Sequence, residues 1–365
     1  MNKTNELGRV TRGAVADALR SAIVDGEFPP GCKLPPRENL IERTGASRLT
    51  VQRGIDQLRD EGFVRAHRGV GTFVTDNPPH QFHFGIVFSG HPEQDGQWDS
   101  RYRQVVHRES VALARETDPL QVHVFYDVSP DPPSESYEKL LDDVDANRLA
   151  GLIFPTAPEK FSDSPLLRSS NVTVVSFQSR RPWLPGVLAV GPDQHSFVER
   201  ALERLAGENI KSTAFLVTPG FLTQVNQEKV RYLIQSADQY DIQCRPEWVQ
   251  FVSPRVQFGV TTSMRLLMSS DYPERPEGVI VADDHLITPA CRGLRDVGLT
   301  VGQDVQVIGY ANFPDPNPPD PDVIRLGFNI RALLKEALNL MDNQRRGKTP
   351  PEMSLGRAVF EDELH

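Results

Sequence analysis

Cysteine is scarce in this 365-residue chain, which carries only Cys32, Cys244 and Cys291. They are far apart, odd in number and lack CxxC spacing. That argues against a disulfide framework or a cysteine zinc site and fits a reducing compartment. Long hydrophobic runs are also missing. No stretch of about 18 apolar residues occurs, so no membrane span is expected. The opening MNKTNELGRV lacks the apolar segment of a secretory signal, and a cytoplasmic location is the expectation. No GxGxxG loop, P-loop or GxSxG elbow is present, so nucleotide-dependent and serine-hydrolase chemistry have no footing. Asp283-Asp284-His285 superficially suggests metal ligands, but three adjacent residues at a strand end do not converge easily on one ion. No catalytic residue, cofactor or metal is expected.

The net charge of −9, from 40 Lys+Arg and 49 Asp+Glu, seems to argue against nucleic acid. Its distribution reverses that reading. Residues 1–75 hold 12 basic and 9 acidic residues; the remainder holds 28 and 40. A mildly basic head on an acidic body confines any phosphate-binding face to the head.

The head has its own pattern. Val15, Leu19, Ala22 and Ile23 form one apolar stripe over 11–25, and Gly26 ends that helix. After the turn Phe28-Pro29-Pro30-Gly31, proline and an acid near Leu34-Pro35-Pro36-Arg37-Glu38 open a short helix, roughly 36–44. Ser47 is placed to cap a third helix. Val51, Ile55 and Leu58 face its inside, and Arg48, Leu49, Thr50, Gln52 and Arg53 its outside. That is a geometry for reading a major groove. Residues 63–74 predict a hairpin around Gly69, with Arg65, His67 and Arg68 near its tip; glycine there lets the backbone approach a phosphate.

The string Gly26…Pro30-Gly31…Leu34-Pro35…Arg37-Glu38…Leu40…Ser47-Arg48…Thr50-Val51…Leu58…Glu61-Gly62…Gly69…Gly71-Thr72-Phe73-Val74 resembles the GntR family of bacterial regulators. The resemblance implies a winged helix-turn-helix over 1–75, with Arg37, Ser47, Arg48 and Gly69 at positions the family uses on DNA. Thr50, Gln52, Arg53 and Arg68 complete the expected DNA-binding set. The family often has Arg where Gln52 stands and a small polar residue where Leu49 stands, so the half-site cannot be transferred from relatives. Some GntR-headed proteins carry an aminotransferase-like body; no cofactor lysine in that context is found here.

Thr75-Asp76-Asn77-Pro78-Pro79-His80 reads as the start of a linker over 76–82. Beyond it, apolar runs (Phe84–Phe88, Val122–Phe125, Leu152–Phe154, Val172–Phe177, Thr213–Val217, Val279–Val281, Val305–Ile308) alternate with helical patterns at 102–116, 135–148, 194–206, 226–240 and 286–297. Alternation of this kind predicts parallel sheets with crossover helices, in two lobes.

The segment from Gly278 through Asp283-Asp284-His285, Gly293-Leu294 and Gly298-Leu299 to Gly309-Tyr310 resembles the effector domain of the LacI/GalR family, which is similar to periplasmic sugar-binding proteins. Weaker matches lie at 149–154, 190–193 and 327–329. The fold class implied is multidomain: an α+β winged head joined to a two-lobed, periplasmic-binding-protein-like α/β domain. The lobes are expected at about 83–189 plus 329–347, and about 190–328 plus the C-terminal segment. Head and body together look like the arrangement of arabinose-responsive repressors. The implied function is a repressor acting as a homodimer on a pseudo-palindromic duplex operator, with no membrane partner. A sugar or sugar derivative would modulate it from a cleft between the lobes.

Loops at strand ends supply Ser89, Gln178, Asp283 and Tyr310 for that effector, with Trp98 to stack on a sugar face and Lys229 where the family carries a binding Arg. Asp283 and Asp284 also suit a helix cap, and Lys229 also suits a surface position on an amphipathic helix. Two departures bear on the ligand. Ala311 stands where the family has Asp after the Gly-Tyr pair, and Gln178 stands where Asp is common. A regulator with a vestigial cleft is the alternative.

Overall fold

The computed structural model describes residues 10–91, 101–116, 120–168, 172–179, 184–222, 226–271, 274–315 and 317–364. It divides into two compact units. The first holds 1–91, 112–176 and 340–350; the second holds 92–111, 177–339 and 351–365.

In the first unit, α1 (Arg12–Val24), α2 (Arg37–Thr44) and α3 (Arg48–Asp60) precede the hairpin β1 (Val64–His67) and β2 (Gly71–Val74). Caps set these boundaries. The Thr11 and Ser47 hydroxyls accept the Ala14 and Thr50 amides, both at 3.2 Å, each satisfying an orphan donor of a first turn. Pro36 is the N-cap of α2 rather than its first residue. Gly45 ends α2 at φ +66°, a conformation that favours glycine. Val15, Leu19, Leu40, Val51, Leu58 and Phe63 fill the head's core. The crossing of α1 and α3 is close: a Cβ on Gly54 would lie 2.7 Å from Val15 Cγ1.

The chain continues through α4 (Pro79–Phe82), β3 (His83–Val87), α5 (Arg101–Ala114), β4 (Gln121–Phe125), α6 (Glu135–Asp145), β5 (Gly151–Phe154), α7 (Pro165–Arg168), β6 (Thr173–Phe177) and β7 (Val187–Pro192). Next come α8 (Gln194–Gly207), β8 (Thr213–Val217), α9 (Asn226–Asp238), β9 (Val249–Phe251), α10 (Gln257–Leu267), β10 (Gly278–Val281), α11 (Asp284–Asp296) and β11 (Gln306–Phe313). The last elements are β12 (Ile324–Asn329), α12 (Ile330–Arg345), β13 (Met353–Gly356) and β14 (Val359–Phe360).

Two six-stranded sheets result, ordered β13-β7-β6-β5-β3-β4 and β14-β12-β11-β10-β8-β9. Pairing is parallel for β13–β7, β6–β5, β5–β3 and β3–β4, and for every pair of the second sheet except β12–β14. Strands such as β5, β8 and β10 are buried throughout, as expected where helices cover both faces of a parallel sheet. The C-terminal segment serves both sheets, β13 in one and β14 in the other. Among the described residues, no helix is long and apolar enough to cross a membrane.

Candidate nucleic-acid interface

Ion pairing sorts the head's cations. Arg20 is held by Asp17 and Glu61, both at 2.6 Å. Arg43 is clamped by Glu27, Arg59 by Asp56 at 2.8 Å, and Arg65 by Asp76 at 2.8 Å. The Arg43–Glu27 bonds hold that carboxyl below its ordinary value. Among the described residues, Arg12, Lys33, Arg37, Arg48, Arg53 and Arg68 have no such partner. All except Arg12 and Lys33 were expected from the sequence to reach DNA. An arginine already spent on a carboxylate has little left for a phosphate, whereas an unpaired one loses only water.

The sequence-predicted residues fall on three elements. Arg37 is exposed at the start of α2. Ser47 caps α3, its hydroxyl also 2.8 Å from that of Thr50, and Arg48 and Arg53 are exposed along that helix. Arg68 and Gly69 form the exposed wing tip, where Gly69 takes φ +76° and the Val70 amide donates to the His67 carbonyl at 3.0 Å. Gln52 stands apart. Its amide nitrogen donates to Asp56 at 3.0 Å, and its oxygen is buried without a partner. To read a base edge it would first have to leave Asp56.

The structure adds residues that the sequence reading passed over. Lys33 bridges Phe73 in antiparallel fashion, and the Leu34 amide donates to Thr72 O at 2.8 Å, so the loop before α2 becomes a third edge of the wing. Gly71, at φ +143°, makes room: a Cβ there would meet Lys33 Cε at 2.5 Å and Nζ at 3.3 Å. Lys33 thus lies across the hairpin with its ammonium free. Val70, 58% exposed, adds an apolar tip to the wing, beside Leu49, already expected on the outer face of α3 and 60% exposed.

The effector candidates divide by unit. In the second unit, register sets Val281 beside Gly309 and Leu216 beside Val281. Asp283 and the Pro219 turn therefore share the carboxyl edge of β8 and β10, while Tyr310, inside β11, lies one residue past the level of Val281. Asp283 caps α11, accepting the His285 amide at 2.9 Å, as its position before a helix suggested. His285 Nδ1 lies 3.1 Å from Asp283 and 2.7 Å from Asp284, whose other oxygen accepts from Asn312 at 3.0 Å. Bonds to Asp283 and then Asp284 push the imidazole up to about 10. The expectation that these three residues diverge is corrected, since their ligand atoms lie within 4.8 Å of one another. The imidazolium, however, already supplies the carboxylates with the positive charge that a metal would bring.

Lys229 is not a surface charge. It is 2% exposed, its ammonium donates to the Pro219 carbonyl, and burial lowers its pKa. It pins the turn after β8. The Tyr310 ring packs between Phe197 and Phe328, at 5.4 and 5.6 Å, and burial raises its hydroxyl pKa. Gln178 follows β6, its backbone N–H donating to Val190 O at 2.9 Å. Ser89, in the first unit, is exposed just past β3. Trp98 lies outside the described residues.

Residues 11–74 match the family "Bacterial regulatory proteins, gntR family", and 202–357 match "Periplasmic binding protein-like domain". The HTH-type transcriptional regulator Rv0792c of Mycobacterium tuberculosis is 34% identical over 84 residues, 21% of this chain and 31% of that protein. The histidine utilization repressor of Pseudomonas aeruginosa is 34% identical over 62 residues, 17% of this chain and 26% of that protein. The chain thus spans less than a third of the length of these curated relatives. Among solved structures, a LacI transcriptional regulator from Bacillus cereus has a TM-score of 0.53 at 16% identity, covering 77% of this chain and 96% of its own. A Staphylococcus protein described as a probable maltose operon transcriptional repressor has a TM-score of 0.53 at 10% identity, covering 78% and 97%. At such identities the likeness establishes the fold. The chain joins a gntR-type helix-turn-helix domain to a periplasmic-binding-protein-like domain with the two-sheet fold of LacI-type regulators.

Proposed function

We propose that this protein is a sequence-specific DNA-binding transcription regulator, a repressor, whose operator affinity is modulated by a sugar or sugar derivative held in its periplasmic-binding-protein-like domain. The observation that carries the reading is the set of unpaired cations on α2, α3 and the wing, beside paired ones elsewhere on the same small domain. It works as a homodimer in the cytoplasm, performs no catalysis, and reads a pseudo-palindromic duplex with two heads. Arg37, Ser47, Arg48, Thr50, Arg53, Arg68 and Gly69 make the contacts, and Gln52 joins them by releasing Asp56. Leu49 meets a thymine methyl. Val256, Phe258 and Leu266, exposed by 57%, 78% and 60% on and beside α10, support a protein-contact face.

The sensing reading rests on the polar edge formed by Asp283, Asp284 and Tyr310. An inducer must bind the weak-DNA state more tightly, and DNA must reciprocally weaken inducer binding. The test is selection of bound sequences from a randomised duplex pool, then titration of the winner with and without a panel of pentoses, hexoses, sugar acids and sugar phosphates. A sugar that shifts operator affinity supports sensing; unchanged affinity at saturating concentrations of every compound removes it. The second reading, a regulator with a vestigial cleft, is favoured by one observation: the charges at that edge are satisfied internally. Lys229 is spent on Pro219, His285 on its carboxylates, and position 311 carries a buried alanine.

A further inference from the structure

Residues 76–82 read from their prolines as a tether, yet in the first unit they are packed on two sides. On the head side, Phe63 stacks on the His80 ring at 5.9 Å with 4° between planes. A Cβ on Gly62 would sit 3.6 Å from Pro79 Cγ, and the Thr75 hydroxyl donates to Gly62 O at 3.0 Å. On the lobe side, Arg345 of α12 lies 5.6 Å over the Phe82 ring while paired with Asp342 at 2.5 Å. An ionic link closes the seam. Glu61, the C-cap of α3, lies 3.6 Å from Arg148, which follows α6.

An exposed pair at that distance would contribute little. This one is mostly covered, with side chains 14% and 21% exposed. Both partners are also held in place beforehand. Glu61 accepts from Arg20 at 2.6 and 3.1 Å and from Gln57 at 2.9 Å; Arg148 is fixed by Asp143 at 2.7 Å and by Asp142. The rotamer freedom that ordinarily cancels such a pair is therefore already lost.

We propose that Glu61 and Arg148 are positioning residues that lock the recognition helix α3 onto the first lobe, so that operators are discriminated by half-site spacing as well as by base sequence. This rests on the DNA-reading function and the two-headed assembly. A freely tethered head would rotate to meet shifted half-sites. A docked head cannot, and the second binding event loses its effective concentration when geometry forbids it.

The experiment uses the full chain and its selected operator, re-synthesised with half-sites moved closer or apart by about two base pairs, roughly 7 Å along the axis. Wild type is expected to lose affinity by about 10-fold or more on either change, since avidity is lost with geometry. Arg148→Gln is expected to flatten that profile while leaving affinity for a single half-site duplex unchanged. A second measurement needs no DNA. Spin labels at exposed positions 42 and 121, in a Cys32→Ser background, should give a narrow distance distribution that Arg148→Gln broadens. Identical spacing profiles in the two proteins, or a broad distribution in wild type, would overturn the proposal. If wild type selects no sequence at all, the DNA-reading function fails, and the spin-label distances still judge the lock.

Discussion

Lys33 and Arg65 sit on the same small wing and carry the same charge, but only one of them is available. Arg65 faces Asp76 at 2.8 Å, while Lys33 lies over Gly71 with its ammonium uncommitted. A phosphate contact releases condensed counterions, so losing one should lower the slope of log affinity against log salt by about 1. Lys33→Ala should therefore weaken binding to specific and non-specific duplexes alike and reduce that slope, whereas Arg65→Ala should leave the slope close to wild type. Fluorescence anisotropy across a salt series checks both. An unchanged slope for Lys33→Ala would remove it from the interface. Arg48 should behave differently. It is exposed at the first turn of α3, and on the proposed base-reading role Arg48→Ala should cost about 1–3 kcal/mol for the selected operator and little for random DNA.

Elements show why some of this was legible in the sequence and some was not. The head's helices were readable because their stop and start signals are local: Ser47 as cap, Gly45 as terminator, the Val15–Ile23 stripe. The α1–α3 crossing was not, because it depends on a position with no side chain. Gly54→Val should force Val15 aside and destabilise the head by about 1–3 kcal/mol, read as a lower melting temperature; a neutral result would mean the helices part at no cost. In the body, the expected apolar runs match their strands within a residue or two except β11, which continues to Phe313, five residues past the expected Ile308. By contrast β12 and β14 went unread, since β14 exists only by antiparallel pairing with a strand more than thirty residues earlier. Among the candidate effector residues, Ser89, Gln178 and Asp283 lie just past strands, whereas Tyr310 lies within β11 and Lys229 on α9. Their occupation was invisible, because nothing in the spacing of Lys229 tells that its ammonium turns inward to Pro219. Prolines at 78 and 79 likewise signal an irregular segment, without signalling that Phe63 and Arg345 pack against it.

On the scale of the molecule, four buried or paired histidines are shifted in opposite directions in the two units. His80 and His83, both in the first unit, are lowered to about 4, mainly by burial and then by Arg345 and His123 respectively; burial lowers His123 as well. His285, in the second unit, is raised to about 10 by Asp283 and Asp284. The two groups act on stability in opposite directions. For His80 and His83, the unfolded chain takes up protons near pH 6.5 and the folded one only near 4. The first unit therefore loses stability as pH falls through that window. For His285 the folded state keeps its proton, so the contribution is complete below about pH 6.5 and disappears as pH rises through about 10. Hydrogen exchange followed by mass spectrometry at pH 7.5 and pH 5 should show protection falling in β3–β5 and α6, after correction for intrinsic rates, while α11 and β10 hold. Denaturant midpoints between pH 7 and 10 should fall in wild type and flatten in His285→Gln. Equal loss of protection in both units at pH 5 would show that buried histidines do not set the acid response. Acidification would then act through the carboxylates that pair with arginine throughout the chain, and the distinction between the units would lie in packing alone.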